Sequence, residues 1–360
     1  MARPAKAYIS LDALRHNYQL AARLAPAASN VPAVKANAYG HGAVAVVKAL
    51  EPEAPAFGVA CIEEALELRA AGISKPILLL EGTFTDDEVV TAAQENFWLM
   101  VENRRQLAAI LNADINQPVM AWLKVDSGMH RLGVQPEEVK SIYQALQDSP
   151  NVHPDIVLAT HFACSDELDN DFTSRQIQRF KDAVGDIEAP LSMANSGGVL
   201  AWEVSHADWN RPGYMLYGSS PFAEPHANAD QLKPVMTLKS AVIGVRNIDA
   251  GEAVGYGASW VAERPSRIAT VAIGYGDGYP RHAVSGTPVL INGQRVPLAG
   301  RVSMDMITVD VTDCPDVHIG TEVTLWGEGL PVNEIAEKAG TIGYELLTRM
   351  PLRTPRVYIE

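Results

Sequence analysis

A lysine at the end of an apolar stretch is the first residue of this sequence that could do chemistry. Residues 31–35 read Val-Pro-Ala-Val-Lys, and Lys35 then leads into an uncharged segment rich in small residues. Burial lowers the pKa of a lysine amine and makes it nucleophilic, as Schiff-base formation with an aldehyde requires. The alternative is a lysine whose ammonium extends from a strand end into solvent. The surroundings of Lys35 must decide between the two.

Two later loops could hold a phosphate group. Residues 195–198 read Asn-Ser-Gly-Gly and open a predicted helix over 199–202, and residues 211–214 read Arg-Pro-Gly-Tyr. Free backbone N–H groups at a helix start bind anions, although most such turns are only helix caps. A lysine that faces these loops favours a cofactor with an aldehyde at one end and a phosphate at the other.

The elements that position these groups alternate along the first two-thirds of the chain. Short apolar runs predict eight strands, at 31–35, 56–60, 76–80, 97–101, 119–125, 156–162, 191–195 and 209–217. Segments with helical character lie between them, at 43–50, 62–71, 86–96, 104–112, 137–147 and 174–184, and a further helix at 11–25 precedes them. This alternation predicts an α/β fold, a (β/α)8 TIM barrel, in which reacting groups sit at the carboxyl ends of the strands.

The last third of the chain has a different pattern. After Pro234, alternating and β-branched runs predict strands at 237–245, 267–273, 288–292, 294–297, 307–311 and 322–325, followed by one helix at 332–348. The Asn292-Gly293 pair predicts a hairpin with a type I′ turn. We therefore expect a barrel domain over residues 1–230 and a C-terminal, mostly β domain over 231–360.

Composition excludes several classes of protein. The 360 residues are 47% apolar and 20% charged, and the formal net charge is −14. A negative chain repels phosphate backbones and anionic membranes, so we expect a small-molecule ligand, with neither nucleic acid nor membrane as partner. The three cysteines and nine histidines are scattered, which predicts no disulfide framework and no metal. With no signal-peptide pattern in the N-terminal residues, we expect a cytoplasmic protein.

The motif around Lys35 is similar to one of a known family. Residues 33–42, AVKANAYGHG, resemble the attachment signature for pyridoxal phosphate (PLP) in alanine racemases, which are PLP enzymes of fold type III. Other segments resemble the family in the same order, namely 123–133, 160–163, 194–196, 211–213, 254–257, 274–279 and 300–306. The resemblance covers the whole chain, and the fold that it implies, a PLP-binding barrel followed by a β domain, agrees with the strand pattern.

The resemblance implies two catalytic bases. Lys35 would hold PLP as a Schiff base and, once freed by the substrate, act on one face of the α-carbon, and Tyr256 would act on the other. Racemisation needs such a pair, because one group removes the α-proton while another delivers a proton from the opposite side. A tyrosine has an ordinary pKa of about 10, so a neighbouring cation or hydrogen-bond donor must lower it. His161 and Arg211 are the expected source.

The resemblance also assigns the cofactor and substrate contacts. Arg211 would face the pyridine nitrogen and leave it unprotonated, which weakens the ring as an electron sink and limits side reactions. Arg131 would lie near the phenolic oxygen and the substrate carboxylate, and Met304 would donate a backbone N–H to that carboxylate. With Lys35, His161, Arg131 and Arg211, the implied cofactor-binding residues are Tyr39, Asn195, Ser196, Gly213, Tyr214 and Tyr344.

Other positions keep two interpretations. Lys124 matches a lysine that is carbamylated in several family members, and the alternative is an ion pair with Asp126 or another acid. One further group matches positions at the substrate entrance, where a narrow polar channel would favour small amino acids, although some of its members could form surface ion pairs instead: Asp166, Tyr275, Arg281, Arg301 and Asp305.

The position of Tyr256 in the β domain implies an assembly. In the family this tyrosine comes from the partner subunit, so we expect a head-to-tail homodimer with composite sites. Rival functions are a PLP-dependent decarboxylase, a PLP-binding protein without catalysis and an aldolase that uses a lysine Schiff base. The resemblance alone favours alanine as substrate, and it leaves open whether D-alanine supplies peptidoglycan or is degraded.

Overall fold

The chain begins with a strand and a helix that lead into the barrel. The structure is a computed structural model that describes residues 3–360. The strand Lys6–Ser10 is followed directly by the helix Leu11–Leu24, as predicted for residues 11–25. Ser10 caps this helix, because its hydroxyl accepts a hydrogen bond from the Ala13 N–H at 3.1 Å.

Eight parallel strands form the predicted barrel. The first strand lies beside the last, and the others follow in chain order. The ends of the sheet meet where the Gly58 N–H donates to the Pro32 carbonyl at 2.8 Å and the Val34 N–H donates to the Gly58 carbonyl at 2.7 Å. The (β/α)8 fold is thus confirmed. The first strand, Ser29–Asn30, precedes the predicted residues 31–35, where the structure has an isolated bridge between Ala33 and Gly58 instead of a strand. Phe97–Val101 has the predicted bounds, and the other six strands are shorter than predicted: Phe57–Val59, Ile77–Leu79, Ala121–Lys124, Val157–Ala159, Leu191–Ser192 and Trp209–Asn210.

Helices cover the outside of the barrel. In the helix Val139–Gln147, for example, the buried residues Val139, Ile142, Tyr143 and Leu146 recur every three or four positions, so that one face packs on the strands. No helix within residues 3–360 has the length and apolar character needed to cross a membrane. The other barrel helices are Ala43–Leu50, Ile62–Ala70, Glu88–Glu95, Arg104–Leu111, Phe172–Val184 and Ser196–Ala201.

Indole rings fill part of the barrel interior. Trp98 and Trp122 stack with ring centroids 6.0 Å apart, and Trp122 lies 5.7 Å from Trp209. They belong to a cluster with Leu78 and Met100, which alternate along their strands with residues that pack against the helices. These side chains fill this part of the barrel interior.

The C-terminal domain is rich in strands, as predicted. Asn292 and Gly293 have φ of 51° and 75°, the positive values that a type I′ hairpin needs. The predicted strands correspond to Met236–Ile248, Ser266–Val271, Pro288–Ile291, Gln294–Pro297, Ile307–Asp310 and Glu322–Trp326. Three short strands were not predicted, namely Ala253–Val254, Trp260–Val261 and Arg356–Ile359.

The N-terminal strand belongs to the sheet of the C-terminal domain. Lys6–Ser10 pairs antiparallel with Met236–Ile248 and parallel with Arg356–Ile359. The sequence pattern did not reveal this pairing, because the partners lie more than two hundred residues away along the chain. The division at residue 230 remains a prediction, and the described chain passes through the second sheet before it enters the barrel.

The single helix predicted over residues 332–348 is wrong. Two helices, Val332–Lys338 and Gly343–Thr348, occupy this segment. Gly340 lies between them with φ of 67°, a left-handed conformation that ends helices. The break matters because the second helix carries Tyr344 to the barrel.

We expect Ile9→Ala to destabilise the protein, because Ile9 is fully buried between the two strands that flank it. The loss should be about 2–5 kcal/mol in the free energy of unfolding, measured by urea denaturation. The matched control is Ile319→Ala, since Ile319 is 67% exposed. Equal effects of the two substitutions would contradict the role given to the N-terminal strand.

Candidate active site

A cavity of about 810 Å³ lies where the carboxyl ends of the barrel strands meet the C-terminal domain. Its walls bring together side chains that are far apart in the sequence. Twelve of the residues predicted for the site line it: Lys35, Tyr39, Lys124, Arg131, His161, Asp166, Asn195, Ser196, Arg211, Gly213, Tyr214 and Tyr344.

The turn that follows Lys35 has an unusual backbone. Residues 36–39, none of them glycine, have φ between 50° and 55°, so a short left-handed turn follows Lys35 directly. Each residue in this conformation costs roughly 1–2 kcal/mol. The surrounding structure must therefore hold the turn, and through it Lys35, in place.

Side chains bind the backbone of this turn. The Glu64 carboxylate accepts hydrogen bonds from the Ala36 N–H at 2.6 Å and the Ala60 N–H at 2.8 Å. The Asn37 side-chain oxygen accepts a bond from the Ala43 N–H at 2.7 Å. Glu64 could not be recognised from the sequence, since an acid in the first turn of a helix ordinarily indicates only a favourable interaction with the helix dipole.

The C-terminal domain holds the same turn from the other side. Gly40 has φ of 80°, and a Cβ at this position would lie 1.9 Å from the Leu347 carbonyl oxygen. The Arg356 guanidinium donates to the Gly40 carbonyl at 3.0 Å. Glycine is required here by both the backbone conformation and the close approach of the second domain.

His41 closes the turn from inside. Its Nδ1 lies 3.0 Å from the Ala38 carbonyl and 2.9 Å from the Tyr39 carbonyl, so Nδ1 carries the proton and donates. The ring is fully buried and stacks on Tyr217 with centroids 4.5 Å apart. Burial lowers the pKa of His41 to about 4. His41 belongs to the motif of residues 33–42, and its sequence position alone indicated no role.

Phenol rings gather beside the turn. Tyr214 and Tyr344 stack with centroids 3.6 Å apart, and Tyr39 stacks on Tyr217 at 4.7 Å. Burial raises the pKa of Tyr39 to about 12 and raises those of Tyr214 and Tyr344 as well. These phenols are therefore neutral near neutral pH. The Tyr214 hydroxyl donates to the Asn333 side-chain oxygen at 2.5 Å, which leaves the hydroxyls of Tyr39 and Tyr344 as donors for an anion.

The loop before the helix Ser196–Ala201 is shaped by its own side chains. The Asn195 side-chain oxygen accepts a bond from the Gly198 N–H at 3.0 Å and caps the helix. Ser196 Oγ accepts one from the Gly213 N–H at 3.0 Å, which joins the two loops predicted to hold a phosphate. A Cβ on Gly213 would lie 2.8 Å from the Tyr39 hydroxyl, so the loop, the turn and the phenol meet here.

Arg211 and His161 set the charge of the cavity floor. The Arg211 guanidinium donates to Ser192 Oγ and to the Thr160 carbonyl. Burial lowers the pKa of Arg211 to about 10, so the group still carries its charge near neutral pH. Burial, followed by the charge of Arg211, holds the pKa of His161 well below its usual value, and the imidazole is neutral.

Lys124 forms an ion pair with an acid that the sequence analysis did not name. Its ammonium lies 2.6 Å from the Glu102 carboxylate, and burial lowers the pKa of Lys124 and raises that of Glu102. Asp126, the acid named for this pair, instead accepts bonds from the Gly128 N–H and from the His130 ring. Glu102 lies in none of the motifs found in the sequence. It meets Lys124 because the strands that precede the two residues are adjacent in the sheet.

The remaining predicted residues lie in the C-terminal domain and do not line this cavity. Tyr256 sits in the loop of the ribbon Ala253–Val254 and Trp260–Val261 and is 70% exposed. Met304 is 53% exposed. Tyr275, Arg281, Arg301 and Asp305 also lie outside the cavity lining, and Asp305 forms an ion pair with Arg353. A single chain therefore does not bring Tyr256 to Lys35.

Fold and site together define a class of protein. The (β/α)8 barrel has an amine, phenolic hydroxyls and a buried guanidinium at the carboxyl ends of its strands. Reactive groups in this place are typical of enzymes with this fold. The family model for the N-terminal domain of alanine racemases matches residues 9–221, and the model for their C-terminal domain matches residues 235–358. The chain belongs to the alanine racemase family, whose members are isomerases.

Relatives match along the whole length of the chain. An alanine racemase of Chromohalobacter salexigens and a catabolic alanine racemase of Pseudomonas putida are each 52% identical, over 99% of this chain and 98% and 99% of their own. The crystal structure of the biosynthetic alanine racemase from Pseudomonas aeruginosa is 48% identical, covers 99% of this chain and 100% of its own, and superposes with a TM-score of 0.96.

The burial of His41 predicts a pH dependence of stability. The pKa of His41 is lowered in the folded protein, so below pH 6.5 the unfolded state takes up a proton that the folded state does not, and stability falls as the pH falls toward 4. Between pH 7.5 and pH 5 this contributes a loss of about 2 kcal/mol. We expect His41→Asn to lose about that much less than the wild type over the same interval, measured by urea unfolding.

Above pH 7.5 the two proteins should respond to pH alike, which serves as the internal control. If His41→Asn and the wild type lose the same stability between pH 7.5 and pH 5, the neutral, buried His41 is not what makes the protein sensitive to acid.

Proposed function

We propose that the protein interconverts L-alanine and D-alanine with PLP and two bases, Lys35 and Tyr256. The observation that carries the proposal is the cavity in which the Lys35 amine faces neutral phenols, backbone N–H groups and Arg211. The relatives at 52% identity are named alanine racemases, which supports alanine as the substrate.

The residues of the cavity fit PLP. Lys35 would hold it covalently, and Arg211, His161 and Arg131 would hold its ring. The joined loops offer donors for a phosphate, and the absence of a Cβ on Gly213 leaves the Tyr39 hydroxyl accessible there. When bound, PLP draws electrons from the α-carbon of the amino acid and makes its proton acidic. The phosphate would be held by Tyr39, Ser196, Gly213, Tyr214 and Tyr344, and Asn195 would complete the cofactor-binding residues.

Arg211 would limit the reactions that PLP can support, because its guanidinium does not give up a proton. The guanidinium stays protonated near neutral pH, so it would leave the ring nitrogen without a proton. The neutral His161 beside it adds no acid that could supply one. A weaker electron sink restricts the reaction to proton removal and return, which favours racemisation over transamination or decarboxylation.

Lys35 would move the proton on one face of the α-carbon, and the opposite face needs a second group. Tyr256 is 70% exposed and lies outside the cavity lining, so it is available to a neighbouring chain. We infer a head-to-tail homodimer in which Tyr256 of each chain completes the site of the other. The exposed Met304, whose N–H would bind the substrate carboxylate together with Arg131, fits the same arrangement.

The same assembly would build the entrance. Asp166 lines the cavity within one chain, and the remaining entrance residues would approach from the partner: Tyr275, Arg281, Arg301 and Asp305. A narrow entrance of charged and phenolic groups would admit a small zwitterion such as alanine and hinder larger side chains.

The proposal extends to the cellular role. We place the reaction in the cytoplasm, where D-alanine would either supply peptidoglycan precursors or be degraded. A catabolic relative at 52% identity and a biosynthetic one at 48% support both uses nearly equally.

We expect the purified protein with PLP to convert either enantiomer of alanine into a racemic mixture in heavy water, with deuterium at the α-carbon. Tyr256→Phe should keep PLP bound and lose exchange, by about 10²–10⁴-fold, preferentially for one enantiomer. Optical rotation and proton NMR measure the two effects.

Tyr8→Phe is the control, because Tyr8 lies in the sheet of the C-terminal domain, outside the cavity, and should leave both exchanges unchanged. Failure of the wild type to racemise alanine contradicts the proposed activity. Equal, unimpaired exchange of both enantiomers by Tyr256→Phe contradicts the role of Tyr256 alone.

Composite sites predict complementation between two defective proteins. Lys35→Ala and Tyr256→Phe should each have impaired activity in a homodimer. In a mixed dimer, one site carries both substitutions and the other carries neither. Random re-association of an equal mixture should therefore restore about a quarter of the wild-type activity, measured as the racemisation rate.

If each site were built within one chain, every site in the mixture would still carry one substitution. No restoration after re-association, with dimer formation confirmed by size-exclusion chromatography, would contradict the composite site.

A further inference from the structure

Two turns of the C-terminal domain carry exposed residues that the proposed function assigns to the site of the neighbouring chain. The first turn, residues 274–279, contains Tyr275, and the second, residues 303–306, contains Met304. Over residues 3–360 the Met304 N–H donates to no protein group. This donor can bind a substrate carboxylate well only if its turn holds it in one direction.

The two turns pack tightly on each other. The Gly276 N–H donates to the Met304 carbonyl at 2.8 Å, and the Tyr275 N–H donates to the Ser303 carbonyl at 3.0 Å. A Cβ on Gly274 would lie 2.2 Å from the Ser303 carbonyl oxygen. A displacement of the first turn would therefore move the second turn, and with it the Met304 N–H.

Asp277 is the buried acid of the first turn, and the mechanism above gives it no role. Its side chain is fully buried and accepts a hydrogen bond from the Gly274 N–H at 2.9 Å. Arg3 Nε and Nη2 donate to the two carboxylate oxygens at 3.1 and 2.6 Å, and Arg353 Nε lies 3.1 Å from one of them. A carboxylate this deeply buried needs such partners, because desolvation of an unpaired charge is costly.

The same two arginines also bind the second turn. Arg3 donates to the Asp305 carbonyl at 2.8 Å, and Arg353 forms an ion pair with the Asp305 carboxylate. Asp305 directly follows Met304 in the chain, so the arginines join the two turns. Removal of the Asp277 carboxylate would take away the anion that both arginines share and would loosen this link.

We propose that Asp277 is a positioning residue that holds the two turns together through Arg3 and Arg353 and so directs the Met304 N–H at the site of the neighbouring chain. The inference deepens the proposed function, since it rests on that N–H binding the substrate carboxylate. Asp277 itself is fully buried and does not meet the substrate. Its loss should weaken substrate binding, which raises the KM for alanine and leaves kcat nearly unchanged.

The first test places Asp277→Asn on either chain of the PLP-loaded mixed dimer of the Lys35→Ala and Tyr256→Phe proteins. The site with both bases takes Lys35 from the Tyr256→Phe chain and its C-terminal turns from the Lys35→Ala chain. On the Lys35→Ala chain, Asp277→Asn should therefore raise the KM of the restored activity about tenfold, as expected when a hydrogen bond to a charged group is weakened. On the Tyr256→Phe chain the same substitution lies at the inactive site and should not raise the KM.

The matched control is Asp313→Asn, because Asp313 pairs with Arg264 on the surface of the same domain and is 80% exposed. It should raise the KM on neither chain. A KM that Asp277→Asn raises equally on both chains would show a general structural effect and would overturn the proposal, and so would an unchanged KM in both placements. If Asp277→Asn does not fold, Arg3→Gln in the same two placements decides, since the Arg3 side chain is 35% exposed.

The second test, hydrogen exchange measured by mass spectrometry, does not depend on racemisation. The backbone N–H groups of residues 275–279 all donate to carbonyls of the two turns. In Asp277→Asn their peptide should exchange about tenfold faster than in the wild type, because the turns open more often, whereas the hairpin of residues 288–297 should not change. Unchanged exchange of the turn peptide, or equal acceleration of both peptides, would overturn the positioning role.

The two tests separate the inference from the proposed function. If the turn peptide alone exchanges faster and the mixed dimer has no restored activity, the composite site fails and the role of Asp277 in holding the turns stands. If the mixed dimer is active and neither exchange nor KM responds to Asp277→Asn, the proposed function stands and this inference fails.

Discussion

The left-handed turn after Lys35 is the constraint on which the rest of the site depends. Its four residues with positive φ cost energy, so the turn forms only because groups around it satisfy its backbone. Glu64 binds it from the barrel, and His41 closes it from inside. Arg356, in the last strand of the C-terminal domain, binds the Gly40 carbonyl. The amine of Lys35 is thus positioned by both domains, which explains why the second sheet packs so closely on the barrel.

Charge is distributed in the cavity in a way that serves one type of chemistry. Burial keeps the phenols and His161 neutral, whereas Arg211 keeps its charge because even a lowered guanidinium pKa stays far above neutrality. The buried acid Glu102 pairs with Lys124 and not with Arg211. A cofactor ring held against Arg211 would therefore meet a fixed cation where many other PLP enzymes place a carboxylate. This difference would favour proton transfer over transamination or decarboxylation.

Much of the fold could be predicted, because the barrel strands are short apolar runs between amphipathic helices and this periodicity is local. The place of Lys35 in the cavity was likewise predictable, from the apolar run that precedes it. Features that depend on distant parts of the chain were not: the strand Lys6–Ser10 pairs with residues near the C-terminus, and Glu102 meets Lys124 only through strand register. The role of Tyr256 rests on family resemblance, because physical reasoning about one chain leaves this residue exposed on the surface.

The central claim is that Lys35 is the amine that holds PLP, and the most direct measurement is to fix the cofactor chemically and find it. The holoenzyme is reduced with borohydride and digested, and the peptides are analysed by mass spectrometry. The pyridoxyl group should be on Lys35, in the peptide that contains residues 33–42. Its presence on another lysine of the cavity, such as Lys124, or on no lysine at all, would contradict the account of the site.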